Sequence, residues 1–141
     1  MLHIRFLIRA DVEDVLAIDR EEYEEEAYTE DNFLSFIRAT NYIGFVAEID
    51  GEVVGYCIYE ISSPNKLHIH CLVVAKDYRR QGIGRQLILM LKKKQRGRKL
   101  VYDLSQWSTV GHHFLKAMGF KARVYKAEIY RFIYKKEKVL C

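Results

Sequence analysis

The stretch from His68 to Leu87 constrains the fold more than any other part of the chain. It contains Leu72–Val74, whose apolar and partly β-branched side chains predict a strand covered on both faces. A short basic turn with two glycines follows. From Ile83 onward, apolar side chains recur at the spacing of one helical face, at Ile83, Leu87, Met90 and Leu91. The stretch therefore predicts a buried strand, a tight turn and an amphipathic helix.

The turn between this strand and helix has the features of a phosphate site. Backbone N–H groups at a helix N-terminus have no partner within the helix, and they attract anions. Gly82 and Gly84 leave room for a ligand to approach the backbone, and Arg79, Arg80 and Arg85 add positive charge. The chain lacks Gly-x-Gly-x-x-Gly and lacks Gly-Lys followed by Ser or Thr. The two most familiar nucleotide-binding motifs are thus excluded.

Size and composition predict one globular domain over residues 1–141. Half of the residues are hydrophobic and only one is proline. No apolar run is long enough to cross a bilayer, and the first nine residues lack a signal-peptide core, so we expect a cytoplasmic protein without a membrane partner. The three cysteines, Cys57, Cys71 and Cys141, have no metal-binding spacing. A chain of this size suits a monomer or a homodimer.

Charge is distributed unevenly behind a net charge of +4. Residues 11–31 contain eleven acids and the single base Arg20, whereas residues 76–99 contain ten bases and the single acid Asp77. A basic segment beside a phosphate turn favours a polyanionic cofactor, and the acidic segment favours a cationic second substrate. The alternative for each segment is a solvated helix face. The basic segment carries no nucleic-acid reader motif, so nucleic acid is not the expected partner.

The rest of the chain predicts the element order β-α-α-β-β-β-α-β-α-β-β. Asp11 is the expected N-cap of the first helix, which runs to Tyr23, and Thr29 with Asn32 makes an incomplete capping box for the second. Asp50-Gly51 is the strongest hairpin signal. The other expected elements are a first strand at 2–8, paired strands at 43–49 and 52–61, a strand at 99–104, a helix at 107–118 ended by Gly119, and closing strands at 120–125 and 128–134.

The pattern Arg79-x-x-Gly82-x-Gly84 resembles the coenzyme A signature of the GNAT acetyltransferase superfamily. The element order and the stretches 50–56 and 118–120 resemble further landmarks of that family. The layout is most similar to that of the ribosomal-protein alanine N-acetyltransferases. The resemblance implies an α/β (α+β) fold in one domain. Its central mixed sheet would have about seven mostly antiparallel strands flanked by four helices and would splay at the central strand.

The same resemblance implies an N-acetyltransferase that uses acetyl-CoA as cosubstrate and no metal. The acceptor would be a primary amine, either a peptide N-terminus, a lysine or a small amine, acetylated by direct transfer. The backbone of Leu72 and Val74 would pair with the pantetheine arm, with the Leu72 N–H donating to the acetyl carbonyl. The expected cofactor-binding residues are Leu72, Val73, Val74, Arg79, Arg80, Gln81, Gly82, Ile83, Gly84, Arg85 and Ser108.

His68 and His70 are candidates for the base that deprotonates the amine. They are two apart on the predicted strand and therefore share a face. An imidazole titrates near neutral pH and can accept an ammonium proton. The pair resembles the His-x-His of the arylalkylamine branch, and Asp103 matches a glutamate that some peptide N-terminal acetyltransferases use as a base. The alternative is a pair of histidines that only pack against the sheet.

Two positions depart from the family pattern. A tyrosine commonly stands five residues before the phenylalanine of the Gly-Phe landmark and protonates the thiolate, but Leu115 occupies that position here. Ser108 stands where the family often has an asparagine. Tyr125, Tyr130 or solvent could supply the proton. The presence of Leu115 in place of tyrosine also leaves a second function open, a coenzyme A-binding regulatory module that has lost catalysis.

Overall fold

The computed structural model describes residues 1–136 and contains seven strands and four helices. Cys141 lies outside the described residues. Short 3₁₀ turns occur at Arg9–Asp11, Glu24–Glu26 and Lys76–Tyr78. The main elements are β1 (Leu2–Phe6), α1 (Val12–Tyr23), α2 (Glu30–Arg38), β2 (Tyr42–Ile49), β3 (Glu52–Ser63), β4 (Lys66–Val74), α3 (Ile83–Lys94), β5 (Lys99–Ser105), α4 (Thr109–Ala117), β6 (Lys121–Lys126) and β7 (Ile129–Tyr134).

The seven strands form one sheet in the order β1-β2-β3-β4-β5-β7-β6. Every neighbouring pair is antiparallel except β4 and β5, which run parallel. The β2–β3 hairpin turns at Asp50 and Gly51, both of which have positive φ, as a tight two-residue hairpin turn requires. The structure therefore confirms the predicted mixed, mostly antiparallel sheet with four helices.

The sheet separates two apolar clusters. On one side, which we call the α3/α4 face, buried residues of α3 and α4 such as Leu87 and Leu115 pack against the strands. On the other side, the α1/α2 face, Val15 of α1 and Phe33 of α2 pack against a second group of strand residues. Alternate residues of β4, the central strand, are buried between these two faces, and the residues between them, among them His68 and His70, are half-buried.

The parallel pair β4–β5 is paired over only part of its length. Lys66–Ile69 pair with Lys99–Tyr102, four residues on each strand. Beyond this point β4 continues to Val74 and β5 to Ser105 without further pairing between them. The predicted splay at the central strand is thus confirmed, and one backbone edge of β4 is left open between residues 70 and 74.

A β-bulge in β4 lies at the start of the splay. Ile58 pairs with Cys71 and the next residue, Tyr59, pairs with Ile69, so that His70 has no cross-strand partner. A bulge shifts the alternation of side chains by one residue. Ile69 accordingly packs in the cluster of the α3/α4 face, whereas Cys71 packs in that of the α1/α2 face.

Some local predictions need correction. Asp11 does not cap α1 through its side chain, because its carboxylate instead accepts hydrogen bonds from the Arg5 guanidinium and the Ile8 N–H. Thr29 and Asn32 form a complete capping box, since the Asn32 side chain accepts from the Thr29 N–H as a glutamine would. Helix α4 begins at Thr109, two residues later than predicted, and leaves Trp107 exposed.

Candidate active site

The two histidines of β4 lie face to face. The His68 and His70 rings are stacked with centroids 4.8 Å apart and planes inclined by 9°. Their side chains lie beside Asp103 and Glu60 respectively, and the Tyr42 ring packs against His70 with centroids 5.3 Å apart. The structure therefore brings both predicted histidines to one face, at the level where β4 and β5 separate.

Each imidazole has its own carboxylate partner. The His70 Nε2 lies 2.8 Å from Glu60 Oε1, and the His68 Nε2 lies 3.5 Å from Asp103 Oδ2. Glu60 is a site residue that the sequence analysis missed. Its position on β3 directly opposite His68 follows from the hairpin register. A histidine that contacts a carboxylate has a preferred ring orientation, so both rings are held rather than free to rotate.

A guanidinium holds the carboxylate of Asp103. Arg131 on β7 pairs with it at two points, with Nε 2.8 Å from Oδ1 and Nη2 2.9 Å from Oδ2. Burial raises the pKa of Asp103, but the Arg131 hydrogen bonds and charge outweigh burial, and the net pKa is lowered. The Arg131 guanidinium in turn stacks on the Tyr125 ring at 3.7 Å. Asp103 is therefore an ionised, firmly held neighbour of His68, and sequence reasoning missed Arg131.

The pKa of His68 is lowered from its ordinary value. Burial is the largest cause, followed by the charge of the stacked His70, while the carboxylate of Asp103 acts in the opposite direction. A lowered pKa keeps the His68 imidazole neutral at pH 7. Only the neutral ring has a lone pair that can accept a proton, so His68 is ready to act as a base at neutral pH.

The β4–α3 turn has the geometry of an anion cradle. Gly82 has φ +81° and precedes the first helical residue, Ile83. The first bond of the helix is from the Gln86 N–H to the Gly82 carbonyl, 3.0 Å long. In the part of the chain that the structure describes, no backbone carbonyl accepts from the N–H groups of residues 80–85. These donors are therefore available to a ligand, and no acidic residue lies in the first turn of α3.

Gly84 leaves a narrow space between α3, α4 and β4. A Cβ at this position would lie 3.4 Å from the Phe114 ring and 3.8 Å from the Leu72 side chain. Because glycine has no side chain, the start of α3 can pack close to Phe114 and Leu72. The predicted cofactor residues Leu72, Val73 and Val74 lie along the open edge of β4, and Gln81 to Arg85 form the turn and the start of α3.

Arg79 is less available to a ligand than its place in the signature suggests. Its Nε donates to the Val74 carbonyl at 3.0 Å, and its Nη2 is paired with the carboxylate of Glu22 on α1. The next acid along the chain towards the N-terminus, Glu21, accepts from the Lys76 N–H at 2.9 Å. Glu21 and Glu22 of the acidic segment therefore bind the turn through hydrogen bonds. Among the arginines of the turn in the described residues, Arg80 and Arg85 have no acidic partner.

The acidic segment is not one solvated face. Asp11 and Asp19 are buried, and Asp19 accepts hydrogen bonds from the Tyr56 hydroxyl and from the Tyr28 N–H. Only the exposed members, among them Glu24–Glu26 in the 3₁₀ turn between α1 and α2, could act on a cationic substrate. The expectation that the acidic segment favours a cationic substrate therefore does not extend to its buried residues, Asp11 and Asp19.

The start of α4 differs from the expectation in one respect. Ser108 is the residue before α4, and its carbonyl accepts from the His112 N–H at 2.9 Å, but its hydroxyl makes no capping hydrogen bond. Leu115, which stands where the family commonly has tyrosine, is buried in the cluster of the α3/α4 face. The structure places Ser108 near the end of β5, at the open side of the splay.

The family model of the acetyltransferase (GNAT) family matches residues 10–120. The chain therefore belongs to this acetyltransferase family, and the fold, the splayed strand and the turn described above agree with that membership. No curated protein sequence matches the chain at a significant level.

Solved structures with the same fold include several N-acetyltransferases. PaiA N-acetyltransferase from Thermoplasma acidophilum, in complex with coenzyme A, is 21% identical, with a TM-score of 0.86 over 96% of this chain and 99% of that one. The ribosomal-protein-S18-alanine N-acetyltransferase from Escherichia coli is 20% identical, with a TM-score of 0.80 over 94% of this chain and 91% of that one. NAA60 from Arabidopsis thaliana, in complex with a bisubstrate analogue, is 18% identical, with a TM-score of 0.79 over 96% of this chain and 98% of that one.

The cosubstrate of this family is acetyl-CoA, and the residues present fit it. The unpartnered N–H groups of residues 80–85 suit a pyrophosphate, and the open edge of β4 suits an extended amide chain. Bound there, the thioester supplies the activated acetyl group. Among residues 1–136, no group of three or more His, Cys, Asp or Glu side chains is placed to hold a metal ion. Within the same residues, no helix is both long and apolar enough to span a membrane.

Proposed function

We propose that residues 1–141 form a single N-acetyltransferase domain that transfers the acetyl group of acetyl-CoA directly to a primary amine. The amine belongs to a peptide N-terminus, a lysine or a small molecule, and the reaction takes place in the cytoplasm. The observation that carries the proposal is the stacked pair His68 and His70 on the α1/α2 face, each beside a carboxylate, where β4 leaves β5.

His68 accepts the proton of the bound ammonium group. Its lowered pKa makes it neutral at pH 7. It lies on the sheet face opposite to α3, whose preceding turn, with the N–H groups of residues 80–85, is the coenzyme A turn of this proposal. His70, stacked on it and held by Glu60, is placed to pass the proton to solvent. A positioned general base contributes about 10²–10⁴-fold to the rate of such a step.

Asp103 acts as a positioning residue and not as the base. Its carboxylate is already bound at two points by Arg131, and this ion pair lowers its pKa, which makes it a weak proton acceptor. The same carboxylate lies beside His68 Nε2 and fixes the orientation of that ring. His68 therefore accepts the proton, and Asp103 holds the His68 ring in its orientation.

Direct transfer is favoured over a covalent enzyme intermediate by the state of the cysteines. Cys57 and Cys71 are both buried, and burial raises the pKa of each thiol. A thiol with a raised pKa supplies little thiolate, which is the nucleophilic form. Although Cys71 is the residue next to His70 in the sequence, it is buried in the apolar cluster and is not poised to accept an acetyl group.

The test is a double variant, His68→Gln with His70→Gln, assayed with acetyl-CoA and a panel of peptide N-termini, lysine peptides, polyamines and arylalkylamines. Glutamine keeps polarity and approximate size but cannot act as a base. We expect kcat/KM to fall by about 10²–10⁴-fold at pH 7 and to recover partly at high pH, where more of the amine is neutral without help.

The matched control is His113→Gln, which changes an exposed histidine of α4 and should leave kcat/KM unaltered. A double variant with wild-type rates from pH 6 to pH 9 would show that the histidines only pack against the sheet. A wild-type protein that binds acetyl-CoA but acetylates nothing in the panel would instead favour the coenzyme A-binding regulatory module, for which the buried Leu115 is the motive.

A further inference from the structure

Tyr102 is a residue of β5 that the sequence analysis did not single out. It pairs with Ile69 in the last rung of the β4–β5 pairing, so its side chain lies where the two strands begin to diverge. The ring packs against the cluster of the α3/α4 face, on the opposite side of the sheet from the stacked histidines. Tyr102 thus lies at the bottom of the splay, on the side that faces α3 and α4.

Tyr102 on β5 and Leu72 on β4 pack in the same cluster of the α3/α4 face, at the point where the two strands diverge. Hydrogen bonding by the Leu72 backbone also acts on the pKa of Tyr102, in agreement with this placement. The Leu72 N–H belongs to the open edge of β4, which receives the thioester in the function proposed above. Other side chains at this place are apolar, namely Leu72, Leu104 and Phe114. Within residues 1–136, no side chain or carbonyl accepts a hydrogen bond from the Tyr102 hydroxyl, so its proton is available.

The phenol is also in the right protonation state to be a donor. Burial raises the pKa of Tyr102 well above its ordinary value, and this outweighs the lowering by the Leu72 N–H. The group therefore remains protonated throughout the neutral pH range, in surroundings with few competing polar groups.

The other tyrosines considered for this role are occupied elsewhere. The Tyr125 ring is stacked under the Arg131 guanidinium on β6, the outer edge strand of the sheet. The Tyr130 ring packs edge-on against His112 and lines a cavity of ≈ 610 Å³ with Trp107 and Lys116, on the far side of β5 from the splay. Neither tyrosine is on β4 or β5, the two strands that form the splay.

We propose that the Tyr102 hydroxyl donates the proton that the coenzyme A sulfur requires when the acetyl group leaves. The proposal rests on the function proposed above, and it gives this chain an acid at a position other than that of Leu115. The new bond is between the amine nitrogen and the acetyl carbon, and the bond that breaks is between that carbon and sulfur. Sulfur takes the Tyr102 proton, and the phenolate regains a proton from solvent. The ammonium nitrogen loses two protons. One balances the proton that the Tyr102 phenolate takes from solvent, and the other is the net proton released by the reaction.

The first experiment is Tyr102→Phe, which removes the hydroxyl and keeps the ring. We expect kcat to fall by about 10²-fold, within the range for loss of a general acid, while the Kd for coenzyme A changes by less than about threefold. Tyr130→Phe is the matched control and should retain wild-type kcat. Wild-type kcat in Tyr102→Phe would overturn the proposal. Tighter coenzyme A binding without loss of kcat would do the same, because Tyr102 would then be only an occupant of the site.

The second experiment needs no acceptor amine and no turnover. Coenzyme A is bound to the protein and its thiol is titrated by the ultraviolet absorbance of the thiolate. A hydroxyl that donates to sulfur stabilises the thiolate, so the bound thiol should titrate at lower pH in the wild type than in Tyr102→Phe. A bound thiol that titrates like free coenzyme A in the wild type would overturn the proposal, even if the variant failed to fold. Absence of turnover with every amine would refute the proposed function and leave this titration to decide on Tyr102.

Discussion

The two faces of the sheet around β4 differ sharply in chemistry. The α1/α2 face has two imidazoles, two carboxylates and a guanidinium within contact of one another. At the same level the α3/α4 face is apolar, and Tyr102 is the polar side chain that we identify there. The two faces share the same strand, and the splay is the only gap between β4 and β5 among the described residues.

This difference matches the two opposite proton transfers of amine acetylation. The amine must lose protons, and the α1/α2 face offers a neutral imidazole with a charged relay behind it. The leaving sulfur must gain one, and the α3/α4 face offers a hydroxyl whose raised pKa keeps it protonated. A polar environment lets a base pass its proton on, whereas an apolar one keeps a weak acid from ionising. The sheet thus separates acceptor from donor by the thickness of one strand.

The largest expected effect is a loss of coenzyme A affinity. It comes from a change in the coenzyme A turn, on the α3/α4 side of the sheet. Gly82→Val places a β-branched residue at φ +81°, which distorts the turn and moves its N–H groups. Several charge-assisted hydrogen bonds would be lost, so we expect the Kd for coenzyme A to rise by about 100-fold or more, measured by titration calorimetry.

Gly97→Val is the matched control for this prediction. Gly97 has φ +83° and lies in the turn between α3 and β5, and a Cβ added at Gly97 or at Gly82 would meet nothing within 4 Å. Both variants should lose similar stability, about 1–2 kcal/mol, because both force an L residue into the left-handed region. Equal coenzyme A affinity in the two variants would remove the turn from the binding site.

A smaller effect concerns the α1/α2 face. It is a shift in the acid limb of the plot of kcat/KM against pH. That limb reports the pKa of His68 in the free enzyme, which lies below its ordinary value, and activity falls as pH drops through it. The charge of His70 lowers this pKa, so His70→Gln should move the limb to higher pH. The carboxylate of Asp103 raises it, so Asp103→Asn should move the limb to lower pH.

At pH 8, where His68 is neutral in all three proteins, each single variant should change kcat/KM by up to about tenfold. Shifts of the limb in the same direction for both variants would contradict the assignment of His68 as the base. The pH profile separates this electrostatic role from a packing role, which would lower the plateau without moving the limb.

The smallest effect on catalysis is expected for Asp19, a buried carboxylate of the α1/α2 face that contributes to stability. Asp19→Asn places an amide where the carboxylate now accepts from both the Tyr56 hydroxyl and the Tyr28 N–H. One of these donors loses its acceptor, so unfolding should cost about 1–3 kcal/mol less, measured by urea denaturation. The folded protein should keep its kcat within about twofold, and Asp14→Asn, an exposed change on the same helix, should alter neither quantity. A large fall in kcat would move Asp19 into the active site.

The fold was predictable from sequence because its signals are local. The Asp50-Gly51 turn, the Gly82 start of α3 and the apolar spacing of the helices each specify one element and its neighbour. The stacking of His68 on His70 also follows from alternation along one strand. The geometry of the β4–α3 turn depends mainly on backbone, and two glycines in the right register were enough to predict that geometry.

The remaining parts depend on long-range register. Strict alternation would place Leu72 on the same face as His68 and His70, but the bulge at His70 puts it on the other face, beside Tyr102. Arg131 meets Asp103 only because β7 inserts between β5 and β6, a pairing that no local signal specifies. The buried carboxylates of α1 were also beyond sequence reasoning, since their partners lie 6, 9 and 37 residues away in the chain.

The short parallel pairing between β4 and β5 also bears on how the molecule opens. Strands β1 to β4 form one antiparallel unit and β5 to β7 another, and among the described residues four β4–β5 residue pairs join the two units within the sheet. Cooperative opening units tend to follow such supersecondary boundaries. This junction is therefore the line along which the sheet separates most readily, with α3 as the covalent tether between the halves. If coenzyme A binds along the open edge of β4 as proposed, it would lie at that junction, and its binding would raise the free energy needed to separate the two halves.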